Sequence, residues 1–175
     1  MHDEMFVEHP IFKGARLANG TKWSCAIFYN SHRLEEVEGS KIERRYKDPS
    51  SGEYQSQHCV GLVLREKSTG MKFAVVTTHL KAKPGFEEMR RDQAAQLTQL
   101  CESIKYPIIL TGDFNDVPDS MAIEATKAAG FENVHGETGT DFTTSKYREK
   151  SGLVTRTIDY IFYKNKANET GSHIN

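Results

Sequence analysis

The chain has 175 residues, of which 37% are hydrophobic and 27% charged, and its formal net charge is −1. This length and composition predict one folded domain and exclude a chain that is disordered throughout. A net charge close to zero also excludes strong attraction between the chain as a whole and nucleic acid, so a phosphate-binding site must be a local cluster.

The spacing of the cysteines and the sequence of the N-terminus indicate the cellular compartment of the protein. Cys25, Cys59 and Cys101 are widely spaced and form no Cys-x-x-Cys pair, which argues against a structural zinc site and favours free thiols in a reducing compartment. Residues 1–5 do not resemble a signal peptide, and no apolar run approaches the ~20 residues of a membrane helix. We therefore expect an intracellular protein without a membrane partner, in the cytoplasm or alternatively in the mitochondrion.

The first predicted element is a strand over residues 23–29, an apolar run rich in aromatic side chains. The polar stretch 39–56 is predicted to be a long surface loop. Residues 58–65 and 71–80 are two apolar runs, and Ser68-Thr69-Gly70 between them predicts a hairpin.

Two helices are predicted in the second half of the chain. In residues 86–104 apolar side chains recur at spacings of three and four, as in an amphipathic helix. Residues 106–110 form a short apolar run typical of a strand covered on both faces. A second helix is predicted over 118–130, then a polar loop over 132–156 and a last strand over 157–163. This order favours a layered α/β protein with helices packed on a sheet.

Three of the predicted strands lead to polar residues capable of chemistry. They are His79, then Asp113 and Asn115, and finally Asp159. Side chains at the ends of core strands can be presented together to one cleft. Asp113 and Asn115 are two residues apart, so an extended chain would point them to one side and Asp116 to the other.

Each of these residues also has a purely structural interpretation. His79 alone is compatible with a hydrogen-bonded structural histidine, and Asp113-Phe114-Asn115 with a turn at the start of a helix. Asp159 alone is compatible with a carboxylate paired to Arg156. The order of all three segments is more specific than any single one.

That order resembles the successive signatures of the endonuclease/exonuclease/phosphatase superfamily. The matching segments are Thr77-Thr78-His79-Leu80, Thr111-Gly112-Asp113-Phe114-Asn115 and Thr157-Ile158-Asp159-Tyr160-Ile161. Two further segments, His79-Leu80-Lys81-Ala82-Lys83 and Phe142-Thr143-Thr144, are similar to the nocturnin and poly(A)-deadenylase branch.

The resemblance implies a fold and an activity. The fold would be a four-layer αββα sandwich of the α/β (α+β) class, present as a single partial domain over residues 1–175 with its motifs in about 23–163. The activity would be phosphate-ester hydrolysis on a nucleotide-like substrate, dependent on Mg²⁺ or alternatively Mn²⁺. The Lys81-Ala82-Lys83 version of the first motif favours the 2′-phosphate of NADP(H), and an RNA 3′ end in a poly(A) tract is the next choice.

The resemblance also implies roles for the motif residues. Asp113 would orient and deprotonate the attacking water, and Asn115 would hold a phosphoryl oxygen. Both are candidate metal ligands. His79 would donate a hydrogen bond to a non-bridging oxygen, and Asp159 would orient a histidine. Lys81 and Lys83 would add positive charge at the phosphate, with a solvated loop as an equal alternative.

Some family motifs have no counterpart in this sequence. Family members carry an asparagine and a metal-binding glutamate upstream and a Ser-Asp-His motif downstream, whereas Ser172-His173 lacks the aspartate. We therefore expect the chain to be a fragment with little activity of its own. The alternative function is a non-catalytic fragment or module that has lost its metal site and binds RNA or a protein partner.

Overall fold

A computed structural model describes residues 11–16, 25–135 and 142–166 of the chain. Labels follow chain order. The strands are β1 Phe12–Arg16, β2 Ala26–Asn30, β3 Leu34–Glu36, β4 Ile42–Lys47, β5 Tyr54–Glu66, β6 Lys72–His79, β7 Ile108–Asp113, β8 Glu132–Asn133, β9 Thr144–Arg148, β10 Gly152–Arg156 and β11 Asp159–Lys164. The helices are α1 Glu87–Glu102 and α2 Met121–Ala128.

Seven strands form one mixed sheet in the order β3-β5-β6-β7-β11-β8, with β4 also paired to β5. Among the strands that the structure describes, only β6 and β7 pair in parallel, and α1 makes the crossover between them. A parallel pair needs such a long connection, whereas the antiparallel pairs can be joined by turns. The carboxyl ends of β6 and β7 therefore lie at the same edge of the sheet.

The sheet separates two apolar cores. One face packs against α1 and α2 through buried residues such as Val76, Leu97, Leu110 and Phe162. The opposite face of β5 and β6 packs against the small β1–β2 sheet, and this second core includes Ile27, Leu62 and Val75. Alternate residues of β6 enter the two cores, because successive side chains of a strand point to opposite faces. The described residues thus form a helix layer, a large sheet and the small β1–β2 sheet, and β9 and β10 pair as a further two-stranded sheet.

Several predicted elements agree with the structure. The hairpin is formed by β5 and β6, the strand at 106–110 is β7, and the last predicted strand is β11. Both predicted helices are present, although the second begins at Met121 rather than at Pro118. Of the first predicted strand, Trp23 lies outside the described residues, and β2 covers Ala26–Asn30.

Two predicted loops are wrong in part. Residues 39–56 contain β4 and the start of β5, and residues 132–156 contain β8, β9 and β10. In β4 only Tyr46 is buried, while its polar neighbours are exposed at an edge of the sheet. A strand with one buried side chain leaves no apolar alternation to detect. Residues 136–141, within the second predicted loop, lie outside the described residues. Among the described helices, none is long and apolar enough to cross a membrane.

Candidate active site

Three of the motif residues lie side by side on neighbouring strands. His79 on β6 is the register partner of Asp113 on β7, and Asp113 is the register partner of Asp159 on β11. Nε2 of His79 lies 3.7 Å from Oδ2 of Asp113, an ion-pair distance longer than a hydrogen bond. The sheet register therefore brings together residues that are far apart in sequence.

Gly112 allows β7 to approach β6 next to this row. A Cβ atom on Gly112 would lie 2.1 Å from the carbonyl oxygen of Thr78, and the φ angle of Gly112 is +150°. No side chain fits there without moving the backbone beside His79. Glycine is thus required at this position by the site's own geometry.

Asp113 is partly buried, and its environment changes its acidity. Burial raises the pKa of Asp113 above its usual value, and the nearby charge of Asp159 raises it further. The backbone N–H of Asn115 and the charges of His79 and Lys146 lower the pKa, but they do not cancel the effect of burial. A carboxylate with a raised pKa is a stronger base once it is ionised.

Asn115 does not continue the strand, so the expected extended geometry is wrong. β7 ends at Asp113, and Asn115 has a φ angle of +51°, in the left-handed region. Its backbone N–H donates to Oδ1 of Asp113 at 2.7 Å, and its Nδ2 donates to the carbonyl of Leu80 at 3.1 Å. This turn still keeps Asn115 at the site, because the aspartate side chain captures the amide two residues later.

Asp116, which was expected to point away from Asp113 and Asn115, is buried. Its side chain is 8% exposed and pairs with Arg90 of α1, with Nε of Arg90 2.9 Å from Oδ2 of Asp116. The backbone carbonyl of Asp116 accepts a 3.0 Å hydrogen bond from the Tyr160 hydroxyl. Asp116 therefore connects the loop after β7 to α1 and β11.

Asp159 is exposed at the start of β11. Its backbone N–H and that of Ile158 both donate to Oγ1 of Thr143, at 3.1 and 3.0 Å. Within the described residues Asp159 makes no ion pair with Arg156, whose side chain lines a neighbouring cavity instead. Thr143, which belongs to the segment resembling the nocturnin branch, thus fixes the backbone beside the carboxylate.

The two candidate phosphate-binding lysines have different environments. Lys83 lines the cavity and has a φ angle of +84°. Nζ of Lys81 lies 4.6 Å from the centre of the Phe86 ring, which is a cation–π contact. The structure thus places Lys83, rather than Lys81, in the cavity wall.

The cavity beside Asn115 has a volume of about 550 Å³. Its walls carry several cations that the sequence analysis did not single out, because they lie in a segment predicted to be a loop. They are Lys146 and Arg148 on β9 and Arg156 on β10. The register pairs Arg156 with Thr144 and Val154 with Lys146, so these side chains share one face of the β9–β10 hairpin. The spacing of two in Lys146 and Arg148 was the only sequence signal of this face.

The oxygen donors of the site fit Mg²⁺ as a partial set. No group of three His, Cys, Asp or Glu side chains able to hold a metal occurs within residues 11–16, 25–135 and 142–166. However, Mg²⁺ usually keeps several waters and binds through one or two carboxylates and the substrate phosphate. The Asp113 carboxylate and the Asn115 amide oxygen offer donors of that kind.

The chain belongs to the Endonuclease/Exonuclease/phosphatase family, whose pattern matches residues 9–174. The sequence is 30% identical to human Nocturnin over 155 residues, which cover 82% of this chain and 35% of that protein. The chain thus spans about a third of the length of this curated relative.

Solved structures show the same fold. The human Nocturnin catalytic domain with bound sulfate anion superposes with a TM-score of 0.67 and 22% identity, over 87% of this chain and 60% of that chain. ANGEL2, a 2′,3′-cyclic phosphatase in complex with adenosine-2′,3′-vanadate, superposes with a TM-score of 0.68 and 18% identity, over 87% and 63%. These similarities confirm the resemblance and the predicted fold class.

Proposed function

We propose that this protein is a metal-dependent phosphoesterase of nocturnin type that hydrolyses a phosphate ester on a nucleotide-like substrate. The observation that carries the proposal is a basic cavity of nucleotide size that is lined by Asn115, the residue whose backbone N–H donates to Asp113 in the His79–Asp113–Asp159 row. Ligand cavities typically measure about 300–1,000 Å³.

In the proposed reaction, the oxygen of water bonds to phosphorus, the bond between phosphorus and the ester oxygen breaks, and the ester oxygen leaves as an alcohol with a proton taken from solvent. Asp113 would take the proton from the water, and its raised pKa suits this role. His79 would donate a hydrogen bond to a non-bridging oxygen, where negative charge increases in the transition state. Mg²⁺, or alternatively Mn²⁺, would supply positive charge at the same oxygens.

The 2′-phosphate of NADP(H) is the proposed substrate, ahead of a poly(A) 3′ end. Lys83, Lys146, Arg148 and Arg156 line the cavity together with the paired side chains of Arg90, Asp116 and Glu87, and this excess of positive charge suits a compact phosphorylated dinucleotide. Successive RNA bases would need aromatic platforms. Tyr147 lies on the hairpin face opposite Lys146 and Arg148 and is paired with Leu153, so it does not offer one in the cavity.

A relative supports an anion site in this family. A sulfate, which mimics a phosphate group, is bound in the human Nocturnin catalytic domain. An intracellular location is part of the same proposal, because Cys25, Cys59 and Cys101 are free thiols.

The test is to incubate the full-length gene product and Mg²⁺ with NADPH and, in parallel, with an adenosine oligomer. Phosphate release and oligomer length are then measured side by side. We expect phosphate release from NADPH to be faster than oligomer shortening. Shortening of the oligomer with NADPH untouched would favour the deadenylase activity. If neither reaction occurs, the result would favour the non-catalytic binding module.

A further inference from the structure

We infer that Arg90 and Asp116 are positioning residues that hold the loop 81–83 against the loop that contains Asn115. They would thereby fix the position of Lys83, the candidate phosphate-binding residue. The inference rests on the proposed function for the role of Lys83, but the contacts that carry it are independent of any ligand.

The guanidinium of Arg90 makes four hydrogen bonds and one further ion pair. Nη1 donates to the carbonyl oxygens of Lys81 at 3.2 Å and Lys83 at 2.9 Å. Nε and Nη2 donate to the two oxygens of Asp116, at 2.9 and 3.5 Å. Nη2 also lies 3.3 Å from Oε1 of Glu87. One planar group therefore joins α1, the loop after β6 and the loop after β7, which a lysine with a single ammonium cannot do.

Helix stability does not explain why Arg90 lies where it does. Arg90 is in the first turn of α1, where the helix dipole disfavours a cation. The Arg90 side chain is only 4% exposed, and the side chain of its partner Asp116 is 8% exposed. A buried ion pair contributes little net stability compared with apolar residues of the same volume. What the pair does supply is a fixed geometry.

The loop held by Arg90 needs such a constraint. Lys83 has a φ angle of +84°, which is unfavourable for a residue with a Cβ atom and persists only when its surroundings impose it. The bonds from Arg90 to the carbonyls of Lys81 and Lys83 impose it from one side. On the other side, Oε1 of Gln93 accepts the backbone N–H of Lys81 at 2.9 Å.

Asp116 transmits the same constraint to the other two motif segments. It directly follows Asn115 in the sequence, and its backbone carbonyl accepts the Tyr160 hydroxyl at 3.0 Å. Tyr160 is the next residue after Asp159. The Arg90–Asp116 pair thus connects the segments that carry Lys83, Asn115 and Asp159.

The test compares Arg90→Lys with Arg91→Lys, a matched control on the exposed side of the same helix turn, where Arg91 pairs with Asp92. Amide hydrogen exchange of the 175-residue chain is measured without ligand. We expect Arg90→Lys, and also Asp116→Asn, to increase exchange in residues 80–85 and 115–118 and to leave residues 94–101 of α1 unchanged. Arg91→Lys should change none of these segments.

The second measurement is the dissociation constant of inorganic phosphate. We expect Arg90→Lys to weaken binding about tenfold, a loss of ~1.4 kcal/mol. If Arg90 acts through Lys83, adding Arg90→Lys to a Lys83→Gln chain should weaken binding by no more than about twofold further, because residues that act together are not additive.

If amide exchange in residues 80–85 of the Arg90→Lys chain is unchanged, the inference is overturned. A uniform increase in exchange over the whole chain would also overturn it, because the Arg90–Asp116 pair would then contribute to general stability only. Full additivity with Lys83→Gln would also overturn it. If the local exchange change is present while the full-length gene product hydrolyses neither NADPH nor the adenosine oligomer, the proposed function fails and the positioning role stands.

Discussion

The backbone N–H of Asn115 donates a 2.7 Å hydrogen bond to Oδ1 of Asp113, while Oδ2 of the same carboxylate lies 3.7 Å from Nε2 of His79. The two oxygens of Asp113 are therefore in different environments. One accepts a backbone hydrogen bond, and the other lies near the histidine. This arrangement fixes the orientation of the carboxylate before any substrate binds.

The first prediction concerns turnover. In the active enzyme, Asp113→Asn keeps the shape of the side chain and removes the base, so kcat should fall by about 10²–10⁴-fold. Asp119→Asn is the matched control, because Asp119 is on the following loop and its side chain is 89% exposed. Steady-state kinetics and a thermal melt are measured on both. Equal activity of the two variants would mean that Asp113 is part of a structural turn only.

The second prediction is a pH dependence of stability. The pKa of Asp113 is raised in the folded chain, so the folded state holds this proton more tightly than the unfolded state does. Stability from this group is therefore lost as the pH rises from the usual value of 3.8 through the raised value. Asp113→Asn removes that loss.

The measurement is the free energy of urea unfolding of both chains from about pH 3 to about pH 7. The advantage of the variant should grow with pH just above the usual pKa and then stay constant. An advantage that shrinks with rising pH would contradict the raised pKa.

The third prediction separates the two lysines of the first motif. Lys83→Gln removes a charge from the cavity wall and keeps a Cβ atom, so the cost of the left-handed backbone stays the same. It should raise KM more than it lowers kcat, since a phosphate-binding cation acts largely on binding. Lys81→Gln removes a charge that lies over Phe86 and should have a smaller effect on KM. Equal effects would place both ammonium groups at the phosphate.

The fourth prediction concerns the basic face of the β9–β10 hairpin. Replacing Lys146 and Arg148 by Gln should weaken phosphate binding and reduce its dependence on salt, because two cations of the cavity wall are lost. Lys150→Gln removes a charge from the turn of the same hairpin, away from the cavity, and serves as the control. Calorimetric titration at two salt concentrations measures both effects. An effect of Lys150→Gln as large as that of the double variant would indicate general charge attraction.

The fifth prediction compares two glycines with positive φ angles. Gly112→Ala would bring a Cβ atom against the Thr78 carbonyl, whereas around Gly70 nothing lies within 4 Å of the added atom. Both changes incur the left-handed backbone cost of ~1–2 kcal/mol. Gly112→Ala should lose about 1–3 kcal/mol more, because the backbone of β6 must move. Urea unfolding measures the difference, and equal losses would show that the close approach of β7 to β6 is not needed.

The parts of the fold that the sequence predicted are those that bury apolar side chains. The β5–β6 hairpin, α1 and β7 carry apolar runs or periodicity, because their faces enter the two cores. Strands β4, β9 and β10 were missed, since most of their side chains are exposed and polar. The basic residues Lys146 and Arg148 were missed with them.

The sequence by itself determined which residues end the core strands, because an abrupt change from apolar to polar side chains marks the point where a strand leaves the core. Only the tertiary structure decided that His79, Asp113 and Asp159 occupy one row, since strand register depends on pairing between segments distant in sequence. It also decided that Asp116 faces inward. The partner that makes its burial possible, Arg90, lies 26 residues away on another element, and a buried carboxylate is stable only beside such a partner.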